Sequence, residues 1–235
     1  MLRHLNVSVY RFDPAKDGVP RYDTFSVPAF PEQRVLDVLR YIYENEASDL
    51  AFEFACRTSR CGTCSVLVNG RSVLACQERA KPNMRVEPLS PPFPVVRDLV
   101  VSRQQVDDNR KRLNLTPVGL ESTQGGIPSE RGPLRISEEK AEKQQLINSC
   151  INCQLCVTEC PAVHLREFEG PMLMAQLRRL DEHPVDRQDR AGQAVEGGLY
   201  ECFSCDICTE VCPVEIPLAD QIRHFRQDIL FGDGS

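Results

Sequence analysis

Twelve cysteines in 235 residues constrain this chain more than any other feature. They are not scattered. Every one falls into one of three tight groups, Cys56 to Cys76, Cys150 to Cys160 and Cys202 to Cys212. At about 5% of the chain they fall below the density of disulfide-stapled secreted scaffolds. The N-terminus, MLRHLNVSVYRF, alternates like a strand and lacks the apolar stretch and cleavage site of a secretory signal. The expected compartment is therefore the reducing cytosol, where disulfides are disfavoured. Grouped cysteines in that setting read as metal ligands.

The spacings say which metal. Cys56, Cys61, Cys64 and Cys76 form C-x4-C-x2-C-x11-C. Its opening is the plant-type spacing of a [2Fe–2S] loop, in which four thiolates hold two irons. Gly62, between two ligands, suits a backbone that must approach the cluster closely. Zinc sites pair C-x2-C knuckles, which x4 followed by x2 matches poorly.

The other two groups each read C-x2-C-x2-C-x3-C-P, the bacterial run for [4Fe–4S] clusters. They lie 52 residues apart, an internal duplication of a short motif. In two-cluster proteins of this type the fourth cysteine of each run serves the other cluster. One cube is then expected on Cys150, Cys153, Cys156 and Cys212, the other on Cys160, Cys202, Cys205 and Cys208. The prolines after the fourth cysteines, Pro161 and Pro213, are expected to end a helical turn.

The remaining sequence supplies scaffolding. Leu5, Val7 and Val9 alternate with polar neighbours as on a half-buried strand, and Thr24 to Val27 suggest a second. Val35, Leu36, Val38, Leu39, Ile42 and Tyr43 share a helix face. Asn69-Gly70 between two short apolar runs signals a hairpin, and MRVEPL a closing strand. After PPFPVV, Asp98 is expected to cap a helix through LVVSRQQVDDNRKRL. Residues 114–133 are rich in Gly, Pro, Ser and Thr and read as a loop. Beyond them the pattern is helical. Ser137 starts one helix, Gly170-Pro171 another ended by Pro184, and Pro217 a last one. Met172, Met174 and Phe225 read as core. The expectation is an α+β chain with a small sheet domain over residues 1–97, a connecting helix and loop over 98–136, and a helical domain over 137–235.

Other function classes find little support. A net charge of −6 argues against nucleic acid. No run of 18 apolar residues would span a membrane. No P-loop, G-x-G-x-x-G or nucleophile elbow is present. His4, His164, His183 and His224 share no ligand spacing.

Taken together, CRTSRCGTCSVLVNGRSVLAC, PPFPVVRDLVV, CINCQLCVTECP and CTEVCP resemble the iron–sulfur subunit of succinate dehydrogenase and fumarate reductase, along nearly the whole chain. The resemblance implies a β-grasp [2Fe–2S] ferredoxin domain joined to an α-helical two-cluster ferredoxin domain. It implies an FAD-containing flavoprotein partner near the [2Fe–2S] end and a membrane-anchor or other acceptor subunit at the far end. Quinone is an acceptor at that interface in such complexes, and the chain would lie peripherally on the cytoplasmic side of the membrane. Electrons would pass singly from flavin through [2Fe–2S], the first cube and the second. No substrate site is expected on this chain alone.

Two departures from the resemblance stand out. Most relatives lack a cysteine matching Cys205 and hold [3Fe–4S] there, whereas this chain has the ligand for [4Fe–4S]. The chain also contains no Trp, and Leu165, preceded by His164, replaces the quinone-contacting Trp that follows the cysteine matching Cys160. Pro161, His164 and Leu165 are thus the candidate acceptor-side contacts. These departures resemble thiol-linked or methylmenaquinol-linked fumarate reductases, with a cysteine-rich partner as the alternative acceptor. A free-standing soluble electron carrier and a zinc-stabilised interaction module are the readings from other classes.

Overall fold

A computed structural model describes residues 4–118 and 137–232. They pack as two compact units. One comprises the described residues up to Gln105 with Ile151–Glu159 and Val211–Pro213; the other comprises the described parts of Val106–Cys150, Cys160–Glu210 and Val214 onward.

The first unit is built on a five-stranded mixed sheet. β1 (His4–Arg11) buries Leu5, Val7 and Val9 and pairs antiparallel with β2 (Arg21–Pro28), Val7 opposite Phe25. Helix α1 (Val35–Asn45) turns Val35, Leu36, Val38, Leu39 and Ile42 inward. Its first turn is held by the Asp37 carboxylate, which accepts the Arg34 backbone N–H at 2.9 Å. β3 (Ser65–Val68) and β4 (Arg71–Leu74) form the hairpin. Asn69 and Gly70 take φ of 51° and 78°, as its two-residue turn demands. β5 (Met84–Glu87) does not close the edge of the sheet, as its place in the sequence suggested. It runs parallel to β1, Val7 opposite Met84, and gives the order β2-β1-β5-β3-β4. Its buried Met84 and Val86 place it centrally.

The expected helix from Asp98 does not form there. Asp98 lies between the short strands β6 (Val95–Arg97) and β7 (Val100–Val101), and α2 (Gln104–Leu113) starts later. The carboxylate of Asp98 is already engaged. It accepts from Arg11 Nε at 3.2 Å and from the backbone N–H groups of Phe12 and Ala51, each at 2.9 Å. Arg11, 4% exposed, also pairs with Asp49 at 2.7 Å and Asp23 at 3.3 Å, so losing Asp98, 2% exposed, leaves its charge paired but strips the Phe12 and Ala51 N–H groups of their acceptor, which costs about 1–3 kcal/mol. Asp98→Ala is expected to lower stability by that order, and chemical denaturation with an unchanged m-value checks it.

The second unit is helical. α3 (Glu138–Asn148) is capped by Ser137, whose Oγ accepts the Lys140 N–H at 3.3 Å. α4 (Leu155–Thr158) belongs to the first unit and lies against β4. α5 (Pro161–Leu165) corrects the expectation for Pro161, which sits at the first helical position and opens the helix instead of ending a turn. Proline has no N–H to lose at that position. α6 (Pro171–Asp181) and α7 (Arg190–Glu196) follow, then α8 (Ile207–Glu210) and α9 (Leu218–Phe231). The core lies between α6 and α9, where Met172, Leu173, Met174, Leu177, Ile222 and Phe225 are buried. Arg190 is fully buried, ion-paired to Asp186 at 2.9 Å, and donates to the carbonyls of Leu113, Asn114 and Thr116. It thus ties the chain after α2 into this core. Most of the loop expected over 114–133 lies outside the described residues.

Candidate iron–sulfur sites

The x11 spacing of the first group has a structural reason. Cys64 immediately precedes β3 and Cys76 closely follows β4, so the hairpin returns the fourth cysteine to the third. The Ala75 N–H donates to the Cys64 carbonyl at 2.9 Å and closes the base of the hairpin. Cys56 and Cys61 come from an irregular loop with Arg57, Ser59 and Gly62 at φ of 58°, 57° and 66°. Such a backbone turns successive N–H groups inward, a cradle for anionic sulfur. Thr58 N–H and Arg60 N–H point at Cys56 Sγ at 3.4 and 3.2 Å, and Cys56 N–H at Cys61 Sγ at 3.5 Å. These donors, Thr58 foremost, pull the Cys56 thiol down to about 6. Burial pushes Cys64 up to about 12, with Cys76 and Cys61 close enough to add repulsion.

The two duplicated runs share a backbone. Asn152 and Gln154 flank Cys153 at φ of 53° and 66°; Ser204 and Asp206 flank Cys205 at 54° and 63°. Left-handed φ is uncommon outside glycine, so its recurrence at both pairs of corresponding positions marks a repeated loop. Cys205 therefore occupies the place in the second run that Cys153 holds in the first. Asn152 and Asp206 are of types that tolerate this conformation.

Each fourth cysteine groups with cysteines of the other run. Cys212 groups with Cys153 and Cys156 in the first unit, whereas Cys160 groups with Cys202, Cys205 and Cys208 in the second; Cys150 falls in the second. Cys160 and Cys208 are buried, Cys202 is partly exposed and Cys205 is exposed. Burial pushes Cys208 up to about 12, and the neighbouring thiols of Cys202, Cys160 and Cys205 push in the same direction. Cys160 is likewise raised, first by burial and further by Cys202 and Cys205. Four thiols this close resist ionising together, and cationic iron is what would allow all four to be thiolates. The donor set fits a cluster. None of the twelve cysteines forms a disulfide. Among the described residues no three Cys, His, Asp or Glu side chains converge as around a single ion. A cluster spreads its ligands over a polyhedron and does not need that convergence.

Gly62 and Cys153 meet within the first unit. A Cβ on Gly62 would lie 2.5 Å from the Ile151 carbonyl oxygen and 2.8 Å from Cys153 Cα. The [2Fe–2S]-type loop and the first duplicated run are thus in backbone contact. The hairpin adds two bonds, Ser72 N–H to Glu159 Oε1 at 2.5 Å and Ser72 Oγ to the Leu155 carbonyl at 3.4 Å.

Of the candidate acceptor-side residues, Pro161 opens α5 and His164 and Leu165 near its end are exposed, Leu165 at 72%. The arginines around the second run were not legible in the sequence spacing. Arg166 lies over the Phe203 ring at 5.8 Å, and Arg223 and Arg226 reach the run from α9.

Residues 6–108 match the 2Fe-2S iron-sulfur cluster binding domain and residues 134–216 the 4Fe-4S dicluster domain, so the chain has both cluster types as cofactors. It is 32% identical to the fumarate reductase iron-sulfur subunit of Haemophilus influenzae, over 93% of this chain and 90% of that one. It is 34% identical to a subunit of the CoM/CoB fumarate reductase of Methanothermobacter marburgensis, over 94% of this chain but 44% of that protein. The chain thus spans less than half the length of that relative. A chain in the Mycobacterium smegmatis Sdh1 complex superposes with a TM-score of 0.83 at 27% identity, covering 97% of this chain and 96% of that one. The chain belongs to the family of fumarate reductase and succinate dehydrogenase iron–sulfur subunits.

Proposed function

We propose that this chain is the electron-transfer subunit of a succinate dehydrogenase or fumarate reductase complex, relaying electrons between an FAD-containing flavoprotein subunit and an acceptor. Cys56, Cys61, Cys64 and Cys76 hold the [2Fe–2S] cluster. Cys150, Cys153, Cys156 and Cys212 hold one [4Fe–4S] cluster, and Cys160, Cys202, Cys205 and Cys208 the other. The corresponding domains are the sheet domain of residues 1–97 and the helical domain of residues 137–235, joined by 98–136. When bound, the clusters supply one-electron carriage, with potentials set by cluster type, burial and hydrogen bonds to sulfur. The chain's own part is to hold the thiolates, aim N–H groups at sulfur and keep the loops close. The observation that carries the relay is the backbone contact between Gly62 and Cys153, because electron transfer falls steeply with distance.

Among the described residues no helix is long and apolar enough to cross a membrane. A membrane association would be peripheral, through partner subunits on the cytoplasmic side. In this reading His164 and Leu165 belong to the acceptor face, where a quinone or an anchor subunit would meet the chain, and their exposure supports it. A thiol-linked complex with a cysteine-rich partner is the second reading. It is favoured by Cys205 and by the likeness to the CoM/CoB fumarate reductase.

Affinity purification of this chain from its native cells under anaerobic conditions tests the assignment. A flavoprotein should copurify, and succinate should reduce the clusters. A clean monomer, unreactive to succinate, would support a free-standing carrier and sink the proposal. A haem-bearing anchor or a cysteine-rich partner in the preparation decides between the two acceptors.

A further inference from the structure

Cys205 is the most exposed ligand candidate of the second run, and it sits between two non-glycine residues in the left-handed region, Ser204 and Asp206. Such conformations persist only where the surroundings over-determine them. In the first run the equivalent turn is held from within. The Gln154 amide donates to the Asn152 carbonyl at 3.2 Å, and Thr158 Oγ1 to the Gln154 carbonyl at 3.1 Å. In the second run the restraint comes from α9. Arg226 donates to the Leu199 carbonyl through Nε and Nη2 at 2.9 and 2.7 Å, to the Cys202 carbonyl at 2.6 Å and to Ser204 Oγ at 3.1 Å. Arg223, one turn earlier, donates to Asp206 Oδ1 at 2.9 Å. The helix bearing both is anchored by the buried Ile222 and Phe225. Two guanidinium groups on one anchored helix thus fix the chain on both sides of Cys205.

We propose that Arg226, assisted by Arg223, is a positioning residue that keeps the Cys205 thiolate on its iron and so keeps the second cluster in the four-iron form. The inference rests on the reading of Cys205 as a ligand. Only a planar group with several donors in a fixed fork can span the Leu199, Cys202 and Ser204 acceptors together, so lysine is a partial substitute. The iron on an exposed thiolate is the one an oxidant can remove. One electron passes to ferricyanide, the iron–thiolate bond breaks, one ferrous ion leaves, and Cys205 takes a proton from water. A loosened loop should make that loss faster.

The test uses the complex purified anaerobically, one equivalent of ferricyanide, and the paramagnetic signal of the oxidised three-iron centre over time. Arg226→Gln should raise the initial rate about tenfold, and Arg226→Lys and Arg223→Gln by about two- to threefold. The [2Fe–2S] and first-cube signals should stay unchanged, because the first run is held without these arginines. Equal rates in the native complex and Arg226→Gln would overturn the proposal. Should Arg226→Gln fail to assemble, the other two variants carry the comparison, with equal rates again fatal. A three-iron signal in the native complex before any oxidant would instead overturn the ligand assignment of Cys205.

Discussion

Replacing Cys160 with alanine should empty the second cluster and spare the first. Cys160 is the fourth cysteine of the first run, so a local reading predicts the opposite. The fold argues otherwise. Cys160 packs with Cys202, Cys205 and Cys208, and its thiol is raised in part by Cys202 and Cys205. Alanine offers no ligand, so iron should fall by roughly four per chain, from about ten to about six. The reduced-state signals of the [2Fe–2S] centre and the first cube should persist. Cys212→Ala should do the converse and strip the first cube. Loss of the first cube's signal in Cys160→Ala would show that each run serves its own cluster.

Gly62→Ala should be nearly as damaging, although it adds one methyl group and removes no ligand. The residue sits at φ +66°, and the new Cβ would meet backbone atoms of Ile151 and Cys153 at 2.5 to 2.9 Å. Backbone cannot swing aside as a long side chain can. The left-handed conformation alone costs about 1–3 kcal/mol, and forcing apart two packed loops adds about 1–3 kcal/mol more. The expected result is a loss of about 2–6 kcal/mol in stability, with slower electron transfer from [2Fe–2S] to the first cube in freeze-quench spectra. A native-like melting temperature with native transfer rates would mean that the two loops are not in contact.

What could be read from the sequence was whatever is fixed by spacing or by a local backbone demand. The cysteine intervals pointed to the cluster types because a cluster dictates where its thiolates must be. Asn69-Gly70 marked the hairpin because few residue pairs take two positive φ values in succession. Long-range features were not legible. The parallel pairing of Val7 with Met84 depends on a crossover that leaves no local trace. Asp98 carries an ordinary N-cap signal, and nothing near it announces that Arg11, 87 residues away, takes its carboxylate. Pro161 carries a stop signal, yet the same ring is preorganised for a first helical turn. The arginines of α9 were hidden for a similar reason, since a guanidinium bonding backbone carbonyls has no characteristic interval. The left-handed residues around Cys153 and Cys205 lie between these cases. Their types permit the conformation, but only the duplicated backbone reveals it.

Twelve cysteines hold three complete clusters in the proposed assignment, with Cys205 as the twelfth ligand. Iron and acid-labile sulfide should be counted on the anaerobically purified complex, together with its paramagnetic spectrum as isolated. About ten irons per chain, two plus four plus four, with no three-iron signal is the predicted result. About nine irons with the signal of an oxidised three-iron centre, or a colourless zinc-containing chain, would contradict it.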